Sequence, residues 1–147
     1  MSAPPLPNDH RYENIVVGMK VRHEYTITTA VYDSFLNAFR DYSPVHVDEA
    51  YAQKSGFAGK VMHGAMLNGF LSHFVGMIFP GKPGLLLAVD LRFSQPSFLG
   101  DVLQLEAVAG QKLDSQNVIV LDFTFQNLTQ KHLAARGRAQ VKLRNES

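Results

Sequence analysis

The chain contains no cysteine. That excludes disulfides, thiolate metal ligands and a cysteine nucleophile, and it fits a reducing compartment, so a cytoplasmic location is expected. There is no excess of one charge: Lys plus Arg number 14 against 13 for Asp plus Glu, a formal net charge of +1. No global field therefore concentrates a nucleic acid. The opening MSAPPLPNDHRY lacks the apolar core of a secretory signal, and residues 1–12 read as a flexible, proline-stiffened tail. The apolar run from 61 to 79 is interrupted by His63, Asn68, Ser72, His73 and three glycines, which argues against a membrane span.

Several motifs are missing as well. There is no G-x-S-x-G elbow and no GxGxxG after a strand; Gly64 and Gly69 have the Walker spacing, but Phe70 stands where the lysine belongs. His46, His63, His73, Asp41 and Asp48 could ligate a metal, yet none has the spacing of HExxH or of a calcium loop, and no metal is expected. Asn127-Leu128-Thr129 matches a glycosylation sequon, which without a secretory route is incidental.

What is present is enough for a single domain over residues 13–147, with no repeat or linker inside it. A chain of this length buries roughly 68–70% of its unfolded surface without staples. Residues 20–28 alternate Val21, His23, Tyr25 and Ile27 against polar neighbours, a strand pattern. From Thr29 the spacing of Val31, Phe35, Leu36 and Phe39 becomes helical, with Thr28 or Thr29 as cap and an end near Arg40. Asp48 is placed to cap a short helix that Gly56 closes. From Gly64 to Phe79 the chain is apolar on nearly every face, the pattern of a long helix enclosed by protein, and PGKPG ends it.

After Gly84 four strands are predicted, near 85–93, 102–110, 117–127 and 132–143. In the third, Ile119, Leu121, Phe123 and Phe125 share a face. In the fourth, Ala135, Gly137, Ala139, Val141 and Leu143 do, leaving Arg136, Arg138, Gln140 and Lys142 to solvent. The expected fold class is α+β, a curved antiparallel sheet wrapped around the apolar helix.

Two stretches could carry chemistry. On the plainer reading Asp41 is a helix-end aspartate bonding local backbone, His46 a half-buried loop histidine, and Gly64 only lets the chain turn into its helix while His63 caps or packs. In RDYSPVHVDEAYA, residues 40–52, Asp41 and His46 stand five apart around Pro44, too far for one helix face. A tight turn from Tyr42 to Val45 would aim both into one cleft, where a water between them has a base and an acid beside it. In VMHGAML, residues 61–67, Gly64 opens the apolar helix and leaves unshielded N–H groups suited to an anionic oxygen such as a thioester enolate. Ser72 lies two turns further along the same face; both it and Asn68 could instead make bonds within the core.

Taken together, RDYSPVHVDEAYAQKSGFAGKVMHGAML resembles the MaoC-like dehydratase family, which includes the R-specific enoyl-CoA hydratases. Asp41, Pro44, His46, Asp48, Phe57, His63 and Gly64 fill its pattern. The resemblance implies a hot-dog fold, commonly dimeric, and reversible syn addition of water to a trans-2-enoyl thioester to give the R-3-hydroxyacyl product. It implies that Asp41 and His46 form the catalytic pair, that Gly64 supplies an oxyanion amide, and that Ser72 contributes to the site. Ser43, His63 and Ala65 are the expected substrate-binding positions, coenzyme A or a carrier protein's phosphopantetheine carries the acyl group, and no other cofactor is expected. Three positions depart from many members: Ser43 replaces Asn, Phe39-Arg40 replaces Ser-Gly, and Ala65 replaces Met. Arg40 would lower the Asp41 pKa if the two side chains approach. The alternatives are a hot-dog acyl-thioesterase and a non-catalytic acyl-CoA or acyl-carrier binding module.

Overall fold

Strand β1 (Lys20–Thr26) alternates exposed and half-buried positions, as a strand at the edge of a sheet does. It pairs antiparallel with β3 (Val102–Leu113), which pairs with β4 (Val118–Asn127) and through it with β5 (His132–Leu143); β2 (Gly84–Phe93) closes the order β1-β3-β4-β5-β2 in this computed structural model, which describes residues 2–145. The inward faces are those the alternation predicted: Ile119, Leu121, Phe123 and Phe125 are at most 2% exposed, as are Ala135, Ala139, Val141 and Leu143. Gly137 belongs to that face too, and it is glycine for a reason. A Cβ there would lie 2.0 Å from the Asp90 carbonyl oxygen and 2.8 Å from the Phe123 ring.

Local signals fix the helices. Helix α1 (Thr29–Phe39) starts where the Thr28 side chain accepts the Val31 N–H, and stops where Arg40 turns left-handed at φ 58°, its N–H on the Leu36 carbonyl. Helix α2 (Pro44–Val47) is a single turn with proline at its first position. Helix α3 (Glu49–Lys54) is capped by Asp48 and followed by Gly56 at φ 94°. Helix α4 (Met66–His73) runs on into a π-helical turn (Phe74–Ile78), closed by the Phe79 N–H on the Phe74 carbonyl. Met66, Leu67, Phe70, Leu71, Phe74 and Val75 seat it on the sheet, forming the core with the inward faces above.

Three expectations change. The central helix is shorter than 64–79, beginning at Met66 and loosening to π geometry after His73. It is also open on one side: Ala65, Asn68, Gly69, Ser72 and His73, spaced i, i+3, i+4, i+7 and i+8, form one exposed stripe of small and polar residues. Finally, the tail is not free as far as residue 12. The Asn8 N–H and side-chain amide donate to the Met77 and Ile78 carbonyls, the His10 N–H donates to the Pro80 carbonyl, and the Lys82 N–H donates back to Asn8. Among the described residues no helix is long and apolar enough to cross a membrane.

Candidate active site

The left-handed turn at Arg40 reverses the chain as α1 ends, and Asp41 follows it. An Asp41 carboxylate oxygen accepts the Ser43 N–H at 3.1 Å, a local turn that delivers Pro44 to the start of α2. The expected loop from Tyr42 to Val45 is thus replaced from Pro44 by a helical turn, because proline's fixed φ starts a helix as readily as it stops one. His46 projects from that turn, and its Nδ1 lies 2.7 Å from the Val61 carbonyl. Since a carbonyl only accepts, Nδ1 carries the proton and the Nε2 lone pair is left over. Nε2 lies 3.8 Å from the Asp41 carboxylate, beyond a direct hydrogen bond and spaced for one water touching both.

Two further side chains build this arrangement. The Tyr32 hydroxyl, from the buried face of α1, donates to the His46 carbonyl at 2.6 Å and reaches the Val61 carbonyl at 3.1 Å. Burial, with the carboxylates of Asp33 and Glu49, raises its pKa, so it stays a donor. His63 is 2% exposed, donates from Nε2 to the Asp41 main-chain carbonyl at 2.9 Å, and stacks on the His46 ring at 3.9 Å between centroids, 25° between planes. Neither Tyr32 nor the Val61 carbonyl is legible as a site group in the sequence. The available signal was a hydroxyl on the apolar side of α1, which spacing alone does not distinguish from a core tyrosine.

Gly64 follows His63. Its carbonyl accepts the Leu67 N–H as the chain enters α4, while its own N–H has no partner among the described residues. A Cβ at this position would stand 3.0 Å from the Phe93 ring. Asp41, His46, His63 and Gly64 line one cavity of about 570 Å³, walled by Phe35 and Phe39 of α1 and by Ala65, Asn68 and Gly69. His46 and Gly64 also face a smaller hollow of about 280 Å³ under Phe93 and residues 94–97. The loop there is held from beneath: buried Asp101 accepts from the Asn127 and Gln130 side chains and from the Phe98 N–H, and the Ser97 carbonyl accepts the Met62 N–H. Asn127 is fully buried in this network, so its sequon is closed to modification.

The remaining expected residues fall as follows. Ala65 lines the cavity; Ser43 is exposed and contributes its N–H to Asp41; Ser72 is exposed on the open stripe of α4 and does not line the cavity in a single chain. His63 is buried behind the pair, a wall of the cavity and a support to both members. The Arg40 guanidinium lies 5.5 Å over the Tyr42 ring and pairs with no carboxylate among the described residues. Asp41, His46 and His63 each bring a ligand atom within 4.8 Å of the others, as a metal site would require. Stacked rings, however, set their in-plane lone pairs side by side instead of converging on one ion. A general acid/base pair in a cavity that Gly64, with its unpaired amide, also lines suits the geometry better.

A model of the MaoC like domain matches residues 13–130. The (R)-specific enoyl-CoA hydratase of Aeromonas caviae is 30% identical over 132 residues, 89% of this chain and 97% of that protein. The unliganded R-hydratase PhaJ1 of Pseudomonas aeruginosa superposes with a TM-score of 0.87 at 26% identity, covering 95% of this chain and 89% of that one. The structure of the (R)-hydratase of A. caviae involved in PHA biosynthesis gives 0.82 at 28%, covering 89% and 98%.

Proposed function

This chain belongs to the MaoC-like dehydratase family with its hot-dog fold, and from that premise we propose that it is an R-specific enoyl-CoA hydratase, adding water reversibly to a trans-2-enoyl thioester. The observation that carries the reading is the Asp41/His46 pair set across one water's width, in a cavity that also receives the Gly64 amide. Both facing groups are acceptors, an Nε2 lone pair and a carboxylate. A water between them donates a hydrogen to each and turns its own lone pair to the β-carbon. As the C–O bond forms, one water proton passes to the pair and the π electrons move to the thioester oxygen. There the Gly64 N–H meets the developing charge, a donor worth about 2.7–4 kcal/mol in comparable sites. The pair then returns the proton to the α-carbon on the same face, and the enzyme ends as it began. Asp41 and His46 act as one proton-holding unit.

The reaction is redox-neutral, so coenzyme A or phosphopantetheine enters only as the carrier of the acyl group. Phe35 and Phe39 give the cavity an apolar wall that suits an acyl chain. The same proposal includes a homodimer, supported by exposed Leu85, Leu87 and Val89 on edge strand β2, and a cytoplasmic location, supported by the absence of cysteine. The test is to follow crotonyl-CoA by loss of its conjugated absorbance, with chiral analysis of the product. Wild type is expected to form the R-3-hydroxy thioester. Asp41→Asn and His46→Gln should each lower kcat by about 10²–10⁴-fold while the protein stays folded. Release of free thiol, or saturable binding without turnover, would replace this reading with a thioesterase or a binding module.

A further inference from the structure

We infer that His63 is the positioning residue of this site, the one side chain that sets the catalytic aspartate, the catalytic histidine and the oxyanion amide relative to one another; the inference rests on the hydratase reading for its consequences in turnover. Three connections meet in it. Its Nε2–H is the donor that reaches the Asp41 main-chain carbonyl, just after the left-handed Arg40. Its face lies against the His46 ring. Its own backbone leads directly into Gly64.

Packing alone does not require an imidazole here. The ring sits between Phe35, at 4.9 Å, and Tyr32, at 5.6 Å, and a phenyl would fill the slot. A phenyl would also avoid the cost of the ring's other nitrogen, since Nδ1 is buried with no partner. What the imidazole adds is the N–H to Asp41. That donation places a hydrogen on Nε2 and fixes the orientation of the ring that lies against His46. The stack then removes the freedom His46 retains: its Nδ1 is tied to Val61, but rotation about that single bond would swing Nε2 away from the carboxylate. A ring plane 3.9 Å away blocks the swing.

The test separates the two connections in the full chain. His63→Phe retains the stack and loses the donor; His63→Gln retains a donor near the same point and loses the stack. With crotonyl-CoA, His63→Phe is expected to lower kcat by about 10²-fold with KM changed less than about threefold, the pattern of a misplaced catalytic group. His63→Gln should recover part of that loss. Melting temperature and sedimentation confirm that both variants are folded. A folded His63→Phe with kcat within about threefold of wild type, or His63→Gln no better than His63→Phe, overturns the inference.

A second readout needs no substrate. Ring ¹⁵N shifts should show His46 as a single Nδ1–H tautomer in wild type and as a mixture in His63→Gln, where the facing ring is gone. Unchanged His46 signals overturn the positioning role even if wild type proves inactive. A changed spectrum beside an inactive wild type sinks the hydratase reading and leaves the positioning role standing. Should His63→Phe fail to fold, the His63→Gln spectrum decides alone.

Discussion

His73 shows how one residue ties stability to pH. It ends α4, and its Nδ1 lies 2.8 Å from the Tyr25 hydroxyl, whose ring stacks on Phe70. Because burial raises the Tyr25 pKa, the phenol is the donor and His73 the acceptor, which requires a neutral imidazole. Burial first, and then the nearby His23, lower the His73 pKa below its ordinary 6.5. The folded state therefore binds this proton less readily than the unfolded chain. Its contribution is fully present above pH 6.5 and is lost as pH falls through the lowered folded value. Denaturant melts at intervals from pH 7.5 to about 5 should show stability declining below about 6.5, and His73→Gln should flatten that decline. An unchanged slope in the variant would assign the decline to other groups.

Between elements, the tie that matters most is Tyr32. One hydroxyl on α1 reaches the carbonyls of His46 in α2 and Val61 before α4, so three segments far apart in sequence share a single proton. Tyr32→Phe leaves the shape of the core but strips the donor. It is expected to cost about 1–3 kcal/mol of stability, because the His46 carbonyl is left with no other partner among the described residues. It should also lower kcat more than it raises KM, since α2 is what aims His46. Thermal melts and steady-state kinetics on the same preparation check both. This tie also marks where sequence reasoning reaches its limit. The Thr28 and Asp48 caps, the Gly56 closure and the alternation of β4 and β5 were legible because each depends on neighbours within a turn or on a period of two. The one-turn α2 was not, because proline signals a stop and a start alike. The open stripe of α4 was not, because Gly69 and Ala65 count as apolar while lying on the same side as Asn68 and Ser72. Asp41 and His46 were legible as a pair through a family pattern; the Val61 carbonyl and Tyr32 that orient them act across distances no local pattern records.

At the scale of the whole molecule, the sheet is unfinished at β2. This strand pairs with β5 on one side only, and along its free edge Leu85 is 49% exposed, Leu87 52% and Val89 37%. An exposed, apolar edge strand is a template for another strand, and natural proteins either charge it, cover it or pair it. Charge guards only the far end of the strand, where Asp90 and Arg92 are exposed and paired; the apolar stretch 85–89 is left for pairing, β2 against β2 of a second copy. In such a dimer the open stripe of α4 would face its counterpart, because small residues at Ala65, Gly69 and Ser72 leave room for two helices to approach closely. Ser72, stranded outside the cavity in one chain, would be enclosed by such a contact. The expected solution mass is twice 16.3 kDa by sedimentation. Placing lysine at both Leu87 and Val89 should give a species of 16.3 kDa, because two pairs of like charges would face each other across a two-fold edge. The monomer should remain folded, its core being formed within one chain, yet turn over crotonyl-CoA far more slowly, with a cavity open along α4 and water no longer excluded from the Asp41/His46 pair. A double variant that stays dimeric would move the contact off the β2 edge, and a fully active monomer would show that the cavity of a single chain is complete.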